Sequence, residues 1–317
     1  MRATRRACSG RVALGVVRGA GGEREAVTPE RWATLAGAVA TLAAANVLNN
    51  RVAPRLAPLT SAVTVAALLA MARRSGVSWS EVGFHERSRG LLIGGVLASA
   101  VAGVYAAGIA IPATRRFFRD ERALSLSRAR AIEEALLQVP VGTVLLEEVG
   151  FRGVLHALVA RSHGPVTATA VSSALFGLWH VLPAIDMMAA NPALSRLASG
   201  EAGEGGPTGE GPVPGRRGGP SAREVSRVVA GSVAATAVAG VFFCELRRRG
   251  GLAAPSLFHF ATNSLGYLFA RLAPAGPDHA GGEPSHRGSG NRPRAASSIV
   301  TSTATASAAS SATSTTS

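Results

Sequence analysis

Three apolar runs of the chain carry polar residues at spacings that suit catalysis. The first contains LLEEVGFRG, which places Glu147, Glu148 and Arg152 in apolar surroundings. Glu148 and Arg152 lie four residues apart, on one helix face, where they can form an ion pair. Glu147 lies about 100° around the helix and has no such local partner. It is therefore a candidate general base, although both acids could instead pair with Arg152 only to hold helices together.

The two other runs supply histidine and asparagine at helical spacing. In ALFGLWH, Phe176 and His180 share a helix face, and in LFHFATN, His259 and Asn263 do so. One histidine in an apolar helix is usually a core residue, but every unsatisfied polar group in lipid costs several kcal/mol. Polar groups on three separate apolar segments therefore predict one shared functional site.

The elements that must position these residues are apolar helices. The chain has 317 residues, of which 47% are hydrophobic and 16% charged, whereas soluble domains carry about 25% charged residues. Several runs approach the roughly 20 apolar residues that span a membrane. We therefore predict an all-α, multi-pass transmembrane helix bundle of about seven spans with a polar intramembrane cavity. The runs are 32–48, 56–72, 91–113, 136–160, 165–185, 228–246 and 252–272.

The charge pattern argues against nucleic-acid binding. The net charge of +14 comes entirely from arginine, and aromatic residues make up only 5% of the chain. A nucleic-acid surface would interleave basic and aromatic residues on one exposed face. Here the arginines lie mainly at the ends of apolar runs, where they anchor helices at the membrane surface. We expect a lipid bilayer as partner, and no nucleic acid.

Polar segments flank and interrupt the apolar part of the chain. We predict a disordered basic tail over 1–30 and N-terminal transmembrane helices over 31–75. The core over 76–272 contains a Gly/Pro/Glu-rich insert, 190–223, that cannot bury enough apolar surface to become ordered. A disordered low-complexity tail follows over 273–317.

The order of the three motifs resembles a known family. Glu147-Glu148-x-x-x-Arg152, Phe176-x-x-x-His180 and His259-x-x-x-Asn263 are similar to the motifs of the CPBP family, the CAAX prenyl proteases and the bacteriocin-processing or immunity-associated membrane proteins. The resemblance runs from about residue 75 to 272 and leaves out both tails and the insert.

The resemblance implies hydrolysis of a peptide bond by activated water inside the membrane. Glu147 would be the general base, assisted by His180, while His259 and Asn263 would donate hydrogen bonds to the oxyanion. Phe176 would pack beside the base. The residues expected to organise the site through their ion pair are Glu148 and Arg152. The substrate would be a membrane-associated protein or peptide, and the composition suggests a bacterial plasma membrane.

The sequence leaves an alternative open for the cofactor and another for the function. Zinc could be held by Glu147, His180 and His259, but the His-Glu-x-x-His helix of many zinc proteases is absent from the sequence. We expect no obligatory metal. The alternative function is a non-catalytic binding or immunity protein of the same fold. A transporter is a third reading, but it would show broken helices or two matching halves, and neither pattern is visible.

Overall fold

The computed structural model describes residues 28–118, 121–190 and 222–272, and within these ranges all regular structure is helical. The predicted disordered tails and the insert lie outside the described residues, apart from a few flanking positions. The α-helices are α1 (Pro29–Val47), α2 (Ala57–Arg74), α3 (Trp79–Val82), α4 (Arg87–Ala110), α5 (Pro112–Arg115), α6 (Glu121–Ser125), α7 (Arg128–Glu133), α8 (Leu145–Glu147), α9 (His156–Trp179), α10 (Val181–Ala190), α11 (Ala222–Gly250) and α12 (Ala253–Leu272). In the same ranges, π-helical segments are Leu48–Val52, Glu134–Val144 and Glu148–Leu155, and short 3₁₀ turns are Pro54–Leu56 and Arg116–Phe118.

Five helical segments of the described chain are long and apolar enough to cross a membrane. They are Pro29–Val52, Pro54–Arg74, Trp79–Ala110, Arg128–Asp186 and Val225–Gly250. The all-α, multi-pass prediction is confirmed, and the protein is an integral membrane protein. The count is lower than the expected seven, partly because α12 is not among the five. Its His259, Asn263 and Arg271 lower its hydropathy.

The segment Arg128–Asp186 also joins two of the predicted runs. It has 59 residues, but Gly164 interrupts it with a φ of 81° and a ψ of 168°. Glycine adopts this backbone conformation without a Cβ clash, and the following Pro165 lacks an N–H group. The chain therefore turns between the runs 136–160 and 165–185.

The outward surfaces of the candidate spans are apolar. Val238 is 72% exposed, Leu92 68% and Leu59 62%. Soluble monomers rarely expose such contiguous apolar surface, whereas lipid contact requires it. The polar side chains named in the three motifs face the other way, into the bundle.

Close helix packing brings the second motif to the centre of the bundle. Helix α9 packs on α11, and α12 packs on α4. A Cβ atom on Gly177 would lie 2.6 Å from the carbonyl oxygen of Val233, so only glycine permits this approach of α9 to α11. As a result, the neighbouring Phe176 reaches Phe243 of α11, with ring centroids 6.2 Å apart.

The first motif lies in irregular helix rather than in the regular α-helix assumed from the sequence. The short helix α8, which ends at Glu147, lies between two π-helical segments. The first of these contains Pro140, which has no backbone N–H to donate. Wider π turns are rare and are frequent at functional sites.

Candidate active site

The structure brings the predicted site residues into the interior of one bundle. Each of their side chains is at most 2% exposed. They are Glu147, Glu148, Arg152, Phe176, His180, His259 and Asn263. Buried charges are costly unless they are paired and hydrogen-bonded, so the contacts of each group determine what it can do.

Glu148, Arg152 and His259 form an ion cluster. The Nη1 atom of Arg152 lies 3.3 Å from Oε1 of Glu148, which confirms the pairing expected from their spacing. The Nδ1 atom of His259 donates to the same oxygen at 2.7 Å. Because an ionised carboxylate only accepts hydrogen bonds, this nitrogen carries the proton. The Glu148 charge is thus taken up by two fixed partners.

Aromatic rings close the ion cluster. The guanidinium carbon of Arg152 lies 3.7 Å from the centre of the Phe176 ring and 4.7 Å from that of Phe243. Such cation–π contacts stabilise a desolvated guanidinium. The ring of Phe176 contacts Arg152 and both histidines of the site, and its placement beside the base stays a prediction. The rings of His180 and His259 have centroids 4.6 Å and 6.3 Å from that of Phe176.

Glu147 has a different environment from that of its neighbour. Its Oε1 atom accepts a hydrogen bond of 2.9 Å from Nε1 of Trp179. Its Oε2 atom lies 3.6 Å from Nε2 of His259, too far for a hydrogen bond, and is buried without a hydrogen-bond partner. One oxygen therefore fixes the orientation of the carboxylate, and the other is available to a bound molecule.

A small pocket adjoins Glu147. It has room for about one water molecule. The pocket, here called the Glu147 pocket, is lined by Asn49, Asn50, Gly142, Thr143, Glu147, Trp179 and Pro183. Of the predicted site residues, Glu147 alone belongs to this lining, so the larger polar cavity expected from the sequence stays a prediction.

His180 presents a lone pair to the site interior. Its Nδ1 atom lies 2.8 Å from the carbonyl oxygen of Phe176. Since a carbonyl oxygen only accepts, Nδ1 carries the proton and Nε2 of the neutral ring is an acceptor. This Nε2 atom is buried without a hydrogen-bond partner. The 4.6 Å separation of their ring centroids confirms that Phe176 and His180 share a helix face.

Asn263 lies one turn after His259 on α12. Both polar atoms of its amide are buried without a hydrogen-bond partner. Leaving buried amide groups unsatisfied costs stability. The Asn263 amide is therefore better suited to binding a substrate or water than to a purely structural role.

The candidate metal ligands do not form a metal-binding group. Across the described ranges, no cluster of three or more His, Cys, Asp or Glu side chains could hold a metal ion. Glu148 engages Nδ1 of His259 and Trp179 engages one oxygen of Glu147, which leaves Nε2 of His259 and Oε2 of Glu147 without partners. Glu147, His180 and His259 are thus not assembled as a metal-binding group in the described structure. The mechanism proposed below uses no metal, and chelation tests it.

Sequence reasoning missed four residues that contact the site. Trp179 holds Glu147, Phe243 packs on Arg152 and on the His259 ring with centroids 5.0 Å apart, and Asn49 and Asn50 line the Glu147 pocket. A signal existed for the asparagines, because they form an adjacent polar pair at the end of the first apolar run. Trp179 and Phe243 carry no comparable signal among apolar neighbours.

Residues 134–265 match the family model described as type II CAAX prenyl endopeptidase Rce1-like. This part of the chain is an Rce1-like domain. It agrees with the CPBP resemblance, and it implies a protease of the CAAX type built within the membrane. No curated protein and no solved structure matches the chain.

The Rce1-like domain contains the three motifs but not the whole site. It includes both glutamates, His180, His259 and Asn263. Two residues of the Glu147 pocket lie outside the domain. These are Asn49 and Asn50, which precede its first residue by more than eighty positions. The described structure nevertheless places them beside Glu147.

Proposed function

We propose that this protein is an intramembrane endopeptidase that hydrolyses peptide bonds of membrane-associated proteins or peptides. One observation carries the proposal. Glu147, fixed by Trp179, lines a pocket with room for about one water molecule. A carboxylate in contact with a single water is the arrangement that general-base hydrolysis requires.

The proposed reaction begins with proton transfer from water to Glu147. The water oxygen forms a bond to the scissile carbonyl carbon as the carbonyl electrons move to the oxygen. Glu147 then gives the proton to the departing amine as the carbon–nitrogen bond breaks. A positioned general base typically contributes about 10²–10⁴ to the rate. His180 assists as a hydrogen-bond acceptor through Nε2, which is buried without a partner.

The tetrahedral intermediate carries a negative oxygen that must be stabilised. We assign this role to the Nδ2 group of Asn263 and to Nε2 of His259, both buried without partners. Both ring nitrogens of His259 can donate only in the imidazolium form. The Glu148 carboxylate, 2.7 Å away, compensates the positive charge of that form. Removing one oxyanion donor typically costs about 10²–10³ in kcat.

The substrate and location are also proposed. The family description names CAAX prenyl endopeptidases, and the apolar exterior supports a substrate that reaches the site through the bilayer. We propose a membrane-anchored protein or peptide, prenylated or not, as substrate. The arginine-rich composition without lysine supports a bacterial plasma membrane.

Cleavage assays with purified protein in detergent test the proposal. Wild type, Glu147→Gln and His180→Ala are incubated with membrane-anchored peptides, prenylated and unprenylated, with and without chelator. We expect cleavage by wild type that survives the chelator and falls about a thousandfold in Glu147→Gln. Glu245→Gln, which changes a partly exposed carboxylate on α11, serves as the control.

Two results would contradict the proposal. If the chelator abolished cleavage and added zinc restored it, the metal-free mechanism would be wrong. Absence of cleavage by the wild type across all peptides would favour a non-catalytic binding protein of the same fold.

A further inference from the structure

We propose that Asn50 is a catalytic residue of the same site and that its Oδ1 atom orients the attacking water opposite Glu147. The inference rests on the proposed endopeptidase function and extends it to a residue outside the Rce1-like domain. Both Asn50 and Glu147 line the Glu147 pocket. Asn50 is only 7% exposed, so its amide lies in the interior of the bundle.

The hydrogen bonds of Asn50 define which of its amide atoms faces a bound molecule. Its Nδ2 atom donates to the backbone oxygen of Asn46 at 2.9 Å and to Oδ1 of Asn46 at 2.6 Å. A backbone carbonyl only accepts, so the atom in contact with it must be the nitrogen. Among the described residues, no hydrogen bond uses Oδ1 of Asn50. The acceptor is thus left for a molecule in the pocket.

The neighbouring asparagine has a different role. The Nδ2 atom of Asn49 donates to Oγ of Ser61 at 2.9 Å, and its Oδ1 accepts from the hydroxyl of Thr60. Ser61 in turn donates to the carbonyl oxygen of Gly142 at 2.6 Å. Both ends of the Asn49 amide are therefore engaged in attaching the turn to α2 and to the following π-helical segment. Asn49 anchors the turn, and Asn50 keeps a free acceptor.

Both asparagines of the turn lie in the interior. They belong to the π-helical segment Leu48–Val52, after which the N–H of Ala53 donates to the carbonyl oxygen of Leu48 at 2.8 Å. Asn49 is 5% exposed and Asn50 is 7% exposed. Two consecutive residues can share one buried helix face.

One chain of hydrogen bonds links the asparagine turn to the base. The Nδ2 atom of Asn46 donates to the backbone oxygen of Trp179 at 2.9 Å, and the indole of Trp179 donates to Glu147. Asn50 and Glu147 are thereby held in one rigid frame. A water with one hydrogen on Glu147 and the other on Asn50 has a lone pair directed away from both acceptors, towards the substrate carbonyl.

A matched pair of variants tests this assignment. Asn50→Ala and Asn50→Ser differ by one hydroxyl, which can act as an acceptor. We expect kcat to fall about tenfold or more in Asn50→Ala and less in Asn50→Ser, since a good hydrogen bond contributes about a factor of ten. KM stays within about twofold in both, because the interaction acts on the reacting water rather than on substrate binding. Thr41→Val, a polar-to-apolar change earlier on α1, should keep wild-type kinetics.

The failure of this proposal can be told apart from that of the endopeptidase function. If wild type cleaves and Glu147→Gln does not, the function stands whatever Asn50 does. Wild-type kcat in Asn50→Ala, or equal kcat in the Ala and Ser variants, would overturn the Asn50 assignment alone. A rise in KM with unchanged kcat would place Asn50 at the substrate and would also overturn it. Absence of cleavage by wild type would overturn both.

Discussion

Glu147 and Glu148 are neighbours in sequence and equally buried, yet they have different surroundings. Glu148 shares one oxygen with Arg152 at 3.3 Å and with His259 at 2.7 Å, inside a closed ion cluster. Glu147 receives one hydrogen bond from a neutral indole and lines a water-sized pocket. The partners of a buried carboxylate, rather than its burial, therefore distinguish a structural acid from a candidate catalytic one.

The contrast gives each acid a separate task. A carboxylate held by a fixed cation can orient a further partner, as Glu148 orients His259. A carboxylate with one hydrogen bond from a neutral indole keeps its second oxygen available to accept a proton. Under the proposed mechanism, Glu147 is the group that exchanges a proton with water.

The largest effect on stability is expected from breaking the ion cluster. Arg152→Ala leaves the Glu148 carboxylate buried without its cation, and breaking a buried pair costs about 3–5 kcal/mol. We expect the free energy of unfolding, measured by denaturant titration in mixed micelles, to fall by that amount. Wild-type stability of this variant would show that Glu148 is not held as described.

A double variant separates loss of the pair from loss of packing. Arg152→Met combined with Glu148→Gln replaces both charges with neutral groups of similar size. Since such replacements are often neutral for stability, most of the lost stability should return in the same titration. If the double variant were as unstable as Arg152→Ala, the lost stability would come from packing against Phe176 and Phe243 rather than from the ion pair.

A smaller effect is expected on the Glu147 side of the comparison. Trp179→Phe removes the N–H group that orients Glu147 but keeps an aromatic ring near Phe151, whose centroid lies 5.4 Å away. We expect kcat to fall about tenfold, the value of one good hydrogen bond, with unchanged KM and melting temperature. An unchanged kcat would show that the indole does not position the base.

The smallest effect is expected where a carboxylate pairs on the surface. Glu245 contacts Arg248 and Arg249 at 2.6 Å in both cases, with both arginines exposed and the glutamate partly exposed to solvent. Exposed ion pairs contribute little because water and salt screen them. Glu245→Ala should therefore leave the melting temperature within about 2 °C of wild type. A large shift would contradict the distinction between buried and surface pairs.

Much of the site could be predicted because helical spacing is a local property. The four-residue spacings place Glu148 beside Arg152 and Phe176 beside His180, and the structure confirms both contacts. The apolar runs likewise predicted an all-helical membrane protein. These features depend only on residues within one turn of each other.

The remaining features depend on contacts between distant segments. Trp179 reaches Glu147 across 32 positions, and Asn46 reaches Trp179 across 133. No local pattern reports such contacts. The π turns were also missed. Apolar runs that continue through Pro140 or end at the asparagine pair predict a regular α-helix and give no sign of a wider turn.

The most direct test of the account compares Glu147→Gln with Glu148→Gln in one preparation, with cleavage rate and free energy of unfolding measured for each. We expect Glu147→Gln to lose cleavage while keeping its stability, because the amide oxygen of glutamine can still accept from Trp179. Glu148→Gln should lose stability, because it leaves the guanidinium of Arg152 without its counter-ion. Equal losses of rate and of stability in the two variants would contradict the division of roles between these glutamates.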